Sequence, residues 1–201
     1  MLLDNLNTSL IQIIAQTKAN FQILETIVGI LWIIYVLDVF CGHRLLNFGI
    51  RPRRLIGIPG IFFAPLLHIN FNHLFFNTIP LIVLSNFLLI NGLSYYILVT
   101  LVITIISGLL IWLFAKPGLY VGASAVITGY WALLVADILQ QGTLTAIILG
   151  FISIYYFAGI FFGIFPSKKG VAWEGHLFGL LAGVAAGYLP AALRIINGFL
   201  Q

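Results

Sequence analysis

The sequence predicts an all-α membrane protein built as a bundle of six membrane-spanning helices, and three observations carry that prediction. Of 201 residues, 62% are hydrophobic and only 7% are charged, and the mean hydropathy is +1.14. Soluble domains hold about 25% charged residues, so five acidic and nine basic side chains cannot clothe a water-facing surface. Cutting the chain at charges, prolines and glycines leaves six apolar segments close to the roughly 20 residues that a spanning helix needs. Little chain remains for an extramembrane domain, so any chemistry belongs inside or at the edge of the bundle.

Residues 1–20 form an N-terminal segment distinct from the membrane domain at 21–201. They carry Asp4, no basic run, and apolar residues interrupted by Asn, Thr and Gln. That does not read as a cleaved signal peptide; an interfacial helix and a disordered segment both fit. Segment one, about 21–42, ends near Asp38, Cys41 and His43. The long connection after it is basic at Arg44, Arg51, Arg53 and Arg54 and broken by Pro52, Pro59 and Pro65. Its second half is too apolar for a solvated loop and too proline-broken for a span, which places it in the interface. Segment two covers about 69–90, with Pro80 either kinking it or tolerated by its neighbours. Segment three is about 93–115, segment four about 122–140, segment five about 143–165 and segment six about 173–196. No repeat or low-complexity stretch divides this domain.

Several function classes fall away on composition. The pI near 9.4 comes from a net charge of only +4 with its basic residues thinly spread, which suits membrane topology rather than nucleic acid. A single cysteine, Cys41, allows neither an internal disulfide nor a Cys-only metal site.

In a six-span chain the starts of segments two, four and six share one membrane face. Those starts carry His68 and His73, then Gly122-Ala123-Ser124, then Glu174-Gly175-His176. Polar groups in spans are costly and face a cavity or a partner. Ser124 sits where a helix start exposes unpaired N–H groups and the positive end of the dipole; it could attack a carbonyl, and it could equally be an N-cap. His176 carries an imidazole, a side chain able to accept the serine proton and return it, or it can be a hydrogen-bonded structural histidine. His73 and Asn77, four apart, share a helical face and can aim donors at a developing oxyanion or cross-link helices. A zinc site from His68, His73, His176 and Glu174 is disfavoured because His68 and His73 are five apart, not four. Gly175, Gly179, Gly183 and Gly187 make a small-residue ridge that lets segment six approach segment four closely.

The stretches HINFNHLFFN, GASA and WEGHLFGLLAG, in that order on spans two, four and six, resemble the motifs of the rhomboid intramembrane serine proteases. The resemblance implies a serine endopeptidase with a rhomboid-like six-helix bundle, cleaving transmembrane-segment substrates near the membrane surface. It implies Ser124 as nucleophile and His176 as general base of a dyad with no acid. The oxyanion would be held by His73, Asn77 and the Ser124 backbone amide, with His68, Gly122 and Gly179 in support. No cofactor or metal is implied, and the partners would be transmembrane protein substrates and membrane lipids, not nucleic acid. The location implied is multi-pass in the cell (plasma) membrane.

Two positions depart from the family pattern. Ala125 follows the serine where the family has glycine, so its methyl is expected to crowd the oxyanion pocket. Thr128 stands where an aromatic usually stacks on the histidine, which leaves Phe178 or Tyr130 to compensate. These departures motivate the alternative of a weak or inactive member that binds transmembrane helices. A small transporter is a further alternative, disfavoured because no paired, interrupted spans recur in matching halves. The family places its site outward, whereas Arg44, Arg51, Arg53, Arg54, Lys116, Lys168 and Lys169 share the site face against Lys18 and Arg194. By count, the positive-inside rule gives the opposite orientation.

Overall fold

The computed structural model describes residues 2–165 and 173–199, with side chains described at 4–165 and 173–188. The Pro166–Gly170 connection with Lys168 and Lys169 lies outside the described residues, as does the Arg194 side chain. An initial helix, α1 (Leu2–Ala19), runs into α2 (Phe21–Phe40); residues 2–19 are therefore helical rather than disordered. A folded connection follows, with 3-10 turns at Leu45–Phe48, Leu55–Gly57 and Ala64–Leu66 and one short helix, α3 (Gly60–Phe63). Then come α4 (Phe71–Leu89), α5 (Leu93–Phe114), α6 (Ser124–Gln140), α7 (Leu144–Phe162) and α8 (Trp173–Phe199).

The helices α2, α4, α5 and α7 are long and apolar enough to cross a membrane. At 17 residues α6 is shorter and spans roughly 26 Å, while α8 has 27 residues. The architecture is an all-α membrane bundle. Large apolar side chains such as Ile33, Phe40, Phe76, Phe114 and Phe151 are exposed on its outer surface, as a helix facing hydrocarbon requires. Pro80 is accommodated within an uninterrupted α4; the helix with non-helical backbone inside is α7, at Phe157.

The centre of the bundle is α6, which packs against α4, α5, α7 and α8. Tyr130, Leu133, Ile103 and Leu74 are almost fully buried around it. Polar side chains join helices where lipid offers no hydrogen bonds. Tyr130 Oη lies 2.7 Å from Thr100 Oγ1, and Asn86 ties α4 to Asn20 and Thr17 near the α1–α2 junction.

The first connection is bound to the bundle by its backbone. Ile50 and Tyr120 exchange two hydrogen bonds of 2.9 Å, and the Arg53 guanidinium donates to the carbonyls of Leu113 and Ala115, closing the end of α5. At the start of the connection, buried Asp38 accepts from the Leu45 N–H at 2.8 Å and pairs with His43 at 3.0 Å. Asp38 and His43 thus shape the turn out of α2.

Candidate active site

The site forms where the starts of α4, α6 and α8 meet. Asn70 caps α4 by accepting from the His73 N–H at 2.9 Å, which puts His73 in the first turn and Asn77 one turn further on. Gly122 adopts φ +113, a conformation glycine tolerates best, and donates its N–H to the Ala64 carbonyl at 2.8 Å. That bend leads the chain directly into Ser124. A Cβ placed on Gly122 would meet His73 Cε1 at 2.5 Å and Nε2 at 2.7 Å, with Asn77 Nδ2 at 3.6 Å. The missing side chain is what lets His73 and Asn77 converge beside the serine.

Ser124 is the first residue of α6, and Ala123 occupies the N-cap position with no side-chain cap bond. The N-cap reading of Ser124 is therefore set aside: the serine is one residue too far into the helix. As first helical residue its N–H has no intrahelical acceptor. Ser124 lines a cavity of about 40 Å³ together with Ala64, Gly122, Ala125 and Gly175, which is room for a few water molecules at most.

Helix α8 reaches this point through its glycines. Gly179 lies on the Ala125 carbonyl and Gly183 on the Gly129 carbonyl, each with no space for a Cβ. Gly175 meets nothing and Gly187 touches only side chains, so the close approach belongs to the middle two positions of the ridge. His176 stands one turn before Gly179, on the same end of α8 that the Gly179 contact brings against the start of α6. Among the described residues no hydrogen bond joins Ser124 to His176; instead His176 Nδ1 lies 2.9 Å from the Gly163 carbonyl. Gly163 was not foreseen from the sequence, because one glycine among many does not show that a distant ring lies on its backbone.

His68 is 1% exposed and sits under this arrangement, its ring 5.1 Å from that of His73. Asn77 Nδ2 donates to His68 Nε2 at 3.1 Å and the Ala123 N–H donates to the same atom at 3.4 Å. Burial, then the charge of His73, holds the His68 pKa down at about 4, so the ring is a neutral acceptor. The two departures from the family pattern also find places. The Ala125 methyl packs against the apolar cluster of Ile50, Ala64, Ile111 and Tyr120, and Thr128 Oγ1 donates to the Ser124 carbonyl at 2.8 Å. Tyr130 pairs with Tyr96 and Phe178 with Phe114.

Comparison with known proteins agrees with the motifs. The Rhomboid domain family matches residues 57–192. Uncharacterized proteins of Mycobacterium tuberculosis and Mycobacterium bovis are each 39% identical over 176 residues, covering 83% of this chain and 73% of theirs. An uncharacterized protein of Mycobacterium leprae is 35% identical over 178 residues, covering 83% of this chain and 70% of its own.

Proposed function

Because this chain belongs to the rhomboid family, whose members are usually intramembrane serine proteases, we propose that it is a serine endopeptidase cleaving transmembrane substrates near the membrane surface. The observation that carries the reading is the meeting of His73 and Asn77 on Gly122, beside Ser124 at an uncapped helix start. The Ser124 hydroxyl attacks the scissile carbonyl carbon while its proton passes to His176 Nε2. The tetrahedral oxyanion is met by His73, by the Ser124 N–H, and by the second amide hydrogen of Asn77, the first being given to His68. His176 then returns the proton to the leaving amine. Water attacks the acyl-enzyme with His176 as base, releasing the new carboxyl end and restoring the serine.

The test is labelling of the purified, detergent-solubilised protein by a fluorescent serine-directed phosphonate, beside Ser124→Ala and His176→Ala. Wild type is expected to label and to cleave a model transmembrane substrate, and both variants to lose the two activities. Labelling that survives in Ser124→Ala sinks the assignment of the nucleophile. One observation favours a second reading, a member that binds transmembrane helices without cutting them: Ser124 and His176 are not hydrogen-bonded to each other. Apo sites often tighten only around substrate, so folded wild type that fails to label is the result that selects binding alone.

A further inference from the structure

We infer that the main-chain carbonyl of Gly163, where α7 ends, sets the tautomer and orientation of His176; the inference rests on the protease reading above. His176 Nδ1 and the Gly163 oxygen are 2.9 Å apart. A carbonyl only accepts, so the neutral ring carries its proton on Nδ1 and its lone pair on Nε2. A base that must take a hydroxyl proton through Nε2 needs that tautomer. In Ser-His-Asp triads a buried carboxylate enforces it; in this chain an uncharged backbone oxygen does so.

The identity of residue 163 follows from the same contact. A Cβ there would lie 2.5 Å from His176 Nδ1 and 3.1 Å from Cε1, so a side chain pushes the imidazole off the carbonyl. The backbone itself makes no demand for glycine, since φ −66 and ψ −15 are ordinary helical values. Gly163 is thus explained by the close approach of the ring, and it is a positioning residue. Gly159, one turn earlier on α7, supplies the contrast, because a Cβ there meets nothing within 4 Å.

The experiment uses the full-length protein in detergent as wild type, Gly163→Ala and Gly159→Ala. Imidazole nitrogen resonances of ¹⁵N-histidine-labelled protein are recorded at about pH 8, above the usual histidine pKa, with His176 assigned by its loss in His176→Gln. Phosphonate labelling rates and steady-state cleavage are measured in parallel. Wild type is expected to show protonated Nδ1 and bare Nε2 at His176. Gly163→Ala is expected to show mixed tautomers and a fall of about 100-fold in labelling rate and kcat, the size of effect that small misplacement of a reacting group produces, with KM unchanged. Gly159→Ala should match wild type. A purely structural role for Gly163 predicts no loss, because alanine is the better helix former. The inference is overturned by a wild-type His176 protonated on Nε2, or by Gly163→Ala with wild-type tautomer and rate. Should Gly163→Ala fail to fold, the wild-type tautomer decides alone. That tautomer is readable whether or not Ser124 reacts, so finding Nδ1–H in a protein that never labels upholds the placement and removes the protease reading.

Discussion

His68 is held neutral by what surrounds it. Two N–H groups already donate to its Nε2, so a proton there would set three donors against one another, and burial removes the water that could solvate the charge. Its pKa of about 4 in the folded protein stands against 6.5 for an ordinary histidine. The sign follows from proton binding. Between pH 6.5 and 4 the unfolded chain holds the extra proton and the folded one does not, so folding weakens as pH falls through that window. The contribution is complete above about pH 6.5 and lost by about pH 4, amounting to roughly 3 kcal/mol. Thermal unfolding in detergent from pH 7 to 4.5 should therefore fall more steeply for wild type than for His68→Gln; parallel slopes would show that His68 has no part in acid sensitivity. At this scale the sequence was readable where a residue is expensive in lipid: Ser124, His73, Asn77 and His176 stand out because a polar group in an apolar span must face a cavity or a partner. What the partners of His68 and His176 are was not readable, because the atoms that meet them include the Ala123 N–H and the Gly163 carbonyl: every residue presents a carbonyl, and every residue except proline an N–H.

Helix packing decides whether those side chains meet at all. The ridge on α8 was visible as a four-residue glycine spacing, but spacing does not say which glycines touch a neighbour. Gly179 and Gly183 lie against backbone atoms of Ala125 and Gly129 on α6, while Gly175 faces open space. Gly129, outside the ridge, is equally constrained, since its Cβ would strike Ile103 from α5. Backbone cannot yield as a flexible side chain can, so added volume at Gly183 must separate the two helices. Gly183→Ala is expected to destabilise the protein by about 1–3 kcal/mol, the usual range for overpacking, despite alanine's better helix propensity. Gly175→Ala should be neutral or raise stability by up to about 1 kcal/mol, the propensity difference alone. Unfolding midpoints of the two variants in one detergent separate the cases, and equal losses would mean that α8 does not approach α6 through its middle glycines. The apolar segments themselves were legible to within a few residues because hydropathy marks what lipid can hold; the folded first connection was not, since its shape depends on pairings as distant as Ile50 with Tyr120.

The orientation of the whole molecule turns on how its basic residues are used. Counting arginines and lysines near span ends places the site face in the cytoplasm, but that count treats every charge as free. Arg53 is committed to two carbonyls at the end of α5 and Arg51 donates to Asn47, so two of the four arginines in the first connection serve the fold of that connection. Lys116 lies 5.6 Å from the centre of the Trp173 ring and 4.0 Å from the Glu174 carboxylate, which partly offsets its charge. With those three discounted the excess narrows from seven against two to four against two, which weakens the obstacle to the outward face that the family resemblance implies without removing it. Cys41 reports the answer directly: it is the chain's single cysteine, it is exposed, and it sits at the end of α2 where the first connection begins. A membrane-impermeant maleimide added to intact cells is expected to label Cys41, with no gain after permeabilisation. Labelling that appears only after permeabilisation would place the site face in the cytoplasm, so that a substrate would have to present its scissile bond on that side. The free-charge count would then have been the better guide than the bonds that Arg51 and Arg53 make.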